Sequence, residues 1–213
     1  MTSPGADIDA RINARGRAHR IAAVILAGGL SRRMGSNKLL EVVNGKPMVG
    51  AVADALLSAG ASPVFVVTGH QAERVRDALK DRPVTFVHNP DFAQGMSTTL
   101  RRGIEALPDD IDAAVVSLGD MPFLTGAHVS RLIAAFDPEH DRDICVPAFQ
   151  GQRGNPILWG RRFFDELRQV QGDMGAREVV KRHANAGHLV PMDDDAVLRD
   201  VDTPDVLQAV RGE

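Results

Sequence analysis

Cysteine is nearly absent: the 213 residues contain one, Cys145. A lone cysteine excludes an internal disulfide framework and any zinc site built from thiolates. Long hydrophobic runs are missing too. No segment reaches membrane-spanning length and no apolar leader opens the sequence, so the expectation is a cytoplasmic location with no membrane partner. An excess of one charge is also lacking. Lys and Arg total 25 against 28 Asp and Glu, a formal net charge of −3, which argues against a nucleic-acid partner and against charge-driven disorder. Glycine (20) and proline (12) are too few for a fibrous chain and ample for loops between packed elements. Hydrophobic residues at 44% and charged residues at 25% complete an ordinary globular composition.

Residues 1–20 are polar, rich in Arg and Ala, and carry no apolar stripe. They predict a disordered or loosely helical tail ahead of a single domain over 21–213. Ile21 to Leu26 is a continuous apolar run, as a buried parallel strand requires. Further strands are predicted over Val64–Thr68, Thr85–His88 and Ala113–Leu118, alternating with helices over Met48–Ala59, Ala72–Leu79, Ser97–Ala106 and Val129–Phe136. Such alternation predicts an α/β fold, a three-layer α/β/α arrangement around a mainly parallel sheet. The last third is less regular. It reads as a hairpin of Ile144–Ala148 with Pro156–Trp159, helices near Phe163–Val170 and Ala176–His183, and strands at His188–Met192 and Val197–Val201. Thr203 as N-cap and Pro204 at the first helical position open a final helix.

The most informative segment follows the first strand: Leu26-Ala27-Gly28-Gly29-Leu30-Ser31-Arg32-Arg33-Met34-Gly35-Ser36-Asn37-Lys38. Two glycines let the backbone turn and approach a ligand, and exposed N–H groups with nearby cations make a polyphosphate cradle. The spacing fits neither a P-loop nor a dinucleotide fingerprint, because Lys38 follows Asn37 and the glycines fall at 28, 29 and 35. Asp120 ends the strand at 113–118, at the sheet edge where open α/β folds bind ligands, and a carboxylate there suits Mg2+ beside phosphates. Gly95-Met96-Ser97-Thr98 offers backbone amides and hydroxyls at a helix start, with Ser97 as an N-cap or as a base contact. The seven histidines show no paired metal-ligand spacing.

The pattern L-A-G-G-x-S-x-R-M-G-x-x-K resembles the signature of the MobA-like NTP transferase family, and later motifs follow in the family's order. Asn89-Pro90-Asp91-Phe92-Ala93-Gln94-Gly95-Met96-Ser97-Thr98-Thr99-Leu100 looks like its base-reading loop and Leu118-Gly119-Asp120-Met121-Pro122 like its metal-binding strand end. Arg153-Gly154-Asn155-Pro156, Gly172-Asp173-Met174-Gly175-Ala176-Arg177 and Asp200-Val201-Asp202-Thr203-Pro204 match its second half. The set is most similar to the molybdenum cofactor cytidylyltransferase branch. That resemblance implies the Rossmann-like nucleotide-diphospho-sugar transferase fold, with CMP passing from CTP to the phosphate of a molybdopterin acceptor and pyrophosphate released. It implies Lys38, Arg32 and Asp120 as catalytic residues. It implies Leu26, Ala27, Gly28, Gly29, Ser31, Arg33, Lys38, Asn89, Gly95, Met96, Ser97 and Thr98 around the nucleotide. Arg153, Asn155, Asp173 and Arg177 would serve the second substrate, and Asp120 with Asp202 the Mg2+.

Gly28 departs from the branch pattern. Members using CTP usually carry Ala there, and two glycines are more typical of the GTP-using branch, so a guanylyltransferase stays open. Arg33 and Asn37 fit the cytidylyl branch better. A sugar-phosphate or methylerythritol-phosphate nucleotidyltransferase shares the first loop and also stays open, as does a non-catalytic molybdenum-cofactor carrier. A molybdoenzyme or its maturation chaperone would be the downstream partner.

Overall fold

The computed structural model describes residues 17–31, 34, 37–172, 176–183 and 187–211, with the side chains at 177 and 178 excepted. In chain order the elements begin β1 (Ile21–Ala27), β2 (Val42–Val43), β3 (Lys46–Pro47), α1 (Met48–Ser58), β4 (Val64–Thr68), α2 (Ala72–Ala78), β5 (Thr85–His88), α3 (Met96–Glu105) and β6 (Ala113–Leu118). They continue with α4 (Gly126–Ala135), β7 (Ile144–Phe149), β8 (Gln152–Arg153), β9 (Ile157–Gly160), α5 (Phe164–Arg168), α6 (Arg177–Arg182), β10 (Gly187–Pro191) and α7 (Pro204–Arg211). The main sheet runs in the order β10-β7-β9-β6-β1-β4-β5, with β8 paired to β7. β1 pairs in parallel with β4 and β6, β4 with β5, and β7 with β10, while β9 is antiparallel to β6 and β7. β2 and β3 form a separate small hairpin.

Side-chain alternation along β1 divides the core. Ile21, Ala23, Ile25 and Ala27 face one layer with Val52 and Leu56 of α1, Val75 of α2 and Leu132 of α4. Ala22 and Val24 face the other with Leu100 and Ile104 of α3, Leu167 of α5 and Val179 of α6. A strand covered on both faces reads as an unbroken apolar run, which is why β1, β4 and β6 are legible in sequence. Leu100 and Ile104 are fully buried. At about 1.5–3 kcal/mol each, they anchor the helix whose first turn faces the ligand edge. Met48 of α1 packs with Val43 of β2 and with Leu207 and Val210 of α7 in a third, smaller cluster.

Two local expectations are corrected. Val197–Val201 is not a strand: Ala196–Leu198 is a short 3-10 helix and no ladder follows. The physical reason lies in its backbone bonds. Val197 O accepts from Asn155 N–H (2.9 Å), and Val201 N–H donates to Asp120 O (3.0 Å), so the segment crosses the sheet's edge instead of running within it. Ser97 does not cap α3, since the helix starts at Met96 with Gly95 in the cap position. Thr203 does cap α7, accepting from Val206 N–H at 3.3 Å. The expected tail at 1–20 falls outside the described residues as far as 16, but its end is tied down. Arg20 pairs with Asp110, and its N–H donates to Asp112 Oδ2 at 2.8 Å. No described helix is long and apolar enough to cross a membrane.

Candidate active site

A cavity of about 850 Å³ opens at the carboxyl edge of β1 and β6. Its first wall is the loop after β1. Ala27 is fully buried in the core, whereas Leu26, Gly28, Gly29 and Ser31 border the cavity. The loop folds back on itself. Met34 N–H donates to Ser31 O (2.9 Å), and Lys38 N–H donates to Ser31 Oγ (3.2 Å). Asn37 Oδ1 accepts from Leu39 N–H (3.2 Å), capping the short helical turn Lys38–Leu40 and setting Lys38 at its start. Arg32 and Arg33 lie outside the described residues.

The floor is acidic. Gly119 N–H donates to Leu26 O (3.2 Å), prolonging the β1–β6 ladder as far as Asp120. The Val201-to-Asp120 backbone bond then sets Asp200 and Asp202 beside Asp120, so that one oxygen of each lies within 4.8 Å of the others. Lys38 Nζ pairs with Asp120 Oδ2 and with Asp202 Oδ1. Burial pulls the Lys38 ammonium down, but the charges and hydrogen bonds of the two carboxylates outweigh it and hold Lys38 above its ordinary value. Burial pushes the Asp120 carboxyl up. Lys38 opposes this, Asp200 and Asp202 add to it, and the net direction is upward. Sequence reasoning missed Asp200. Its spacing of two from Asp202 was the available signal, masked by the other acidic residues crowding that stretch.

The base-reading motif divides into wall and support. Met96, Thr99 and Leu100, at helical spacing on one face of α3, border the cavity together with Phe92 to Gly95. Asn89, Ser97 and Thr98 are buried and stand behind that wall. Asn89 Nδ2 donates to Thr98 Oγ1 (2.9 Å) and Thr99 Oγ1 (3.1 Å), while its Oδ1 accepts from Asp91 N–H (3.0 Å). Thr99 falls within the expected base-reading loop, though not among the residues expected around the nucleotide. It also explains the first glycine of the loop: a Cβ added to Gly28 would stand 2.7 Å from Thr99 Oγ1, a separation real Cβ atoms do not tolerate.

On the opposite side, Asn155 borders the cavity and Arg153 does not; Arg153 is exposed on β8. Asp173 and the side chain of Arg177 lie outside the described residues. The donor set fits a divalent cation. Asp120 Oδ1 is buried and has no hydrogen-bond partner among the described residues, and it stands beside two further carboxylates. Hard oxygen donors at one point suit Mg2+ or Mn2+.

Known proteins resemble this chain over most of its length. Residues 23–186 match the MobA-like NTP transferase domain. The purine catabolism protein PucB of Bacillus subtilis is 29% identical over 209 residues, 92% of this chain and 98% of PucB. The bifunctional protein GlmU of Kineococcus radiotolerans is 37% identical over 174 residues, covering 78% of this chain but 35% of GlmU. This chain spans between 25% and 42% of the length of the GlmU proteins it matches. The crystal structure of Rv0371c from Mycobacterium tuberculosis superposes with a TM-score of 0.80 at 27% identity, covering 92% of this chain and all of that one. A complex of Rv0371c with manganese superposes at 0.75 with 25% identity, over 92% of this chain and 99% of that one. The fold is therefore the Rossmann-like nucleotidyltransferase type. Because the matched domain takes in the glycine loop, Asp120 and the β9 wall together, the chain belongs to the MobA-like NTP transferase family.

Proposed function

We propose that this chain transfers CMP from CTP to the phosphate of a molybdopterin-type acceptor, with Mg2+ as cofactor and pyrophosphate as the second product. The observation that carries the reading is the meeting of Lys38 with Asp120 and Asp202 beside Gly28 and Gly29 on one cavity.

The reaction asks for little proton chemistry. A phosphate monoester has its second pKa near 6 and is largely anionic at pH 7. Its oxygen bonds to the α-phosphorus while the bond from that phosphorus to the bridging oxygen of the β-phosphate breaks, and the electron pair leaves with pyrophosphate. The difficulty is bringing one anion onto another. Backbone N–H groups at Gly28 and Gly29 would hold the β- and γ-phosphates. Lys38, kept charged by its carboxylate partners, would meet the α-phosphate. Asp120, Asp200 and Asp202 would hold Mg2+, which when bound supplies charge neutralisation at the reacting phosphate. Met96 and Thr99 would border the base, with Asn89 fixing Thr99 from behind. Arg32 and Arg33 would add charge to the loop, and Asn155, Asp173 and Arg177 would serve the acceptor side.

Gly28, the residue more typical of the GTP-using branch, has a second explanation in this chain. The closeness of Thr99 accounts for glycine at that position by packing alone, so the base need not be read from it. The test is calorimetric titration of CTP and GTP with Mg2+ in parallel cells, followed by a pyrophosphate assay with molybdopterin. Binding of CTP alone, with release on adding molybdopterin, supports the reading. Preference for GTP moves the assignment to guanylyl transfer, and tight molybdopterin binding without release makes the protein a carrier.

A further inference from the structure

The three carboxylates of the floor arrive on two stretches of chain far apart in sequence. Asp120 follows β6, and the loop behind it turns through a Leu124 N–H to Met121 O bond (3.2 Å) and enters α4 at Thr125. Asp200 and Asp202 lie on the return from β10 to α7. Carboxylates brought together repel one another, and Lys38 offsets part of that repulsion. The rest must be met by bonds that hold the two stretches side by side. The Val201-to-Asp120 backbone bond is one. A second runs through His128, buried in the first turn of α4.

At one end His128 Nδ1 accepts from Thr125 N–H (3.1 Å), and Thr125 Oγ1 lies 3.0 Å from the same nitrogen. Histidine here takes the place in the capping box that Glu or Gln usually fills. A backbone N–H can only donate, so Nδ1 is the bare nitrogen and Nε2 carries the ring proton. Nε2 therefore donates to Asp194 Oδ2 (3.2 Å). Asp194 turns its other oxygen to Ala196 N–H (2.9 Å), opening the short 3-10 helix Ala196–Leu198. Asp200 follows two residues beyond that helix. One turn along α4, Arg131 grips the same return, donating to Pro191 O (3.0 Å) and Asp193 Oδ2 (2.7 Å). The imidazole differs from Arg131 in holding the return and the cap of the Asp120 loop together.

We propose that His128 is a positioning residue for the cation site: one imidazole, in a single tautomer, locks the loop behind Asp120 to the segment that presents Asp200 and Asp202. This role rests on the reading of the trio as a cation site and adds to it the contact that keeps its two halves together.

The test is Mn2+ binding by the full chain, followed by the paramagnetic resonance of free Mn2+, with urea midpoints measured beside it. Asp194→Asn leaves an oxygen for Ala196 N–H but turns an amide N–H toward His128 Nε2–H. It is expected to raise the Mn2+ Kd about fivefold, as a charge-assisted contact is lost from the binding-competent conformation. Asp195 makes no side-chain cap bond, so Asp195→Asn removes a neighbouring charge alone and should leave the Kd unmoved. His128→Asn keeps an acceptor near the place of Nδ1 but stops short of Asp194. Combined with Asp194→Asn it should add little to either single change, because both break one contact. Nitrogen resonances of the parent should place the His128 proton on Nε2, the signal being the one of seven histidines that His128→Asn removes. Four outcomes overturn the proposal and leave the cation site standing: a lower urea midpoint with an unmoved Mn2+ Kd, equal weakening by Asp194→Asn and Asp195→Asn, additive losses in the double variant, or a ring proton on Nδ1. A parent that binds no Mn2+, or an Asp200→Asn variant with the parent's affinity, removes the cation reading and the role of His128 with it.

Discussion

The ammonium of Lys38 and a carboxylate oxygen of Asp202, 164 residues apart in the chain, meet at 2.5 Å. Lys38 touches Asp120 at the same time, so one cation joins the loop after β1, the end of β6 and the segment before α7. This makes Lys38→Met an informative change. Losing one preorganised charge at a developing transition state costs about 10²–10³ in kcat, and that loss is expected here. CTP affinity, which the loop amides share, should fall far less. Steady-state kinetics and calorimetry check this together. Equal losses in turnover and in affinity would remove Lys38 from the transition state.

The approach of Gly28 to Thr99 predicts a rescue. Gly28→Ala forces a methyl against Thr99 Oγ1 and should destabilise the fold by about 1–3 kcal/mol, the usual cost of overpacking. Thr99→Ala removes the atoms in the way. The double variant should therefore recover most of the loss, giving a coupling energy on the order of 1 kcal/mol or more between contacting sites. Urea denaturation of the four proteins in the cycle measures it. Additive losses would mean that the loop backs away from Thr99 without strain.

The acidic trio makes a prediction about metals. Asp120→Asn and Asp200→Asn should each weaken Mn2+ binding by about tenfold or more, since both remove a hard anionic ligand. Asp205, in the first turn of α7, lies outside the trio, so Asp205→Asn should leave Mn2+ binding as it is. Paramagnetic resonance of free Mn2+ resolves the three variants. Equal weakening in all of them would point to general acidity of the region.

Much of this was legible in sequence, and the rest was hidden for identifiable reasons. β1, β4 and β6 announce themselves because strands covered on both faces must be apolar throughout. The glycine loop and Asp120 are local features at strand ends, so spacing alone marks them. Thr99 is different, because which face of α3 meets the cavity depends on how the helix packs on the sheet. Met96, Thr99 and Leu100 share one face of α3 by their spacing, and that is the face that borders the cavity. The path of Val197–Val201, which carries Asp200 beside Asp120, was hidden by tertiary bonds. Backbone groups of Asn155 and Asp120 take the hydrogen bonds that a sheet neighbour would otherwise make, and Gly154 leaves no room for a Cβ against Val197 O. Such contacts join residues far apart in sequence, and no periodicity records them.

Asp54 carries a pH prediction away from the site. On α1 it accepts from Arg82 Nε (2.7 Å) and Nη2 (3.2 Å) and from Lys46 Nζ (2.8 Å). The Arg82 hydrogen bonds lead in holding its carboxyl below the ordinary value, against the upward pull of burial and with help from Lys46. A depressed carboxyl contributes stability that is present above the unfolded value of about 3.9 and is lost as pH falls through the folded one. Asp54→Asn should therefore be less stable than the parent at neutral pH. The gap should close as both are acidified below about pH 4, because the parent then protonates the group the variant lacks. Urea midpoints taken from neutral pH down to about pH 3 follow that convergence. A gap that stays constant over the range would mean that Asp54 contributes through side-chain packing against Arg82 and not through its charge.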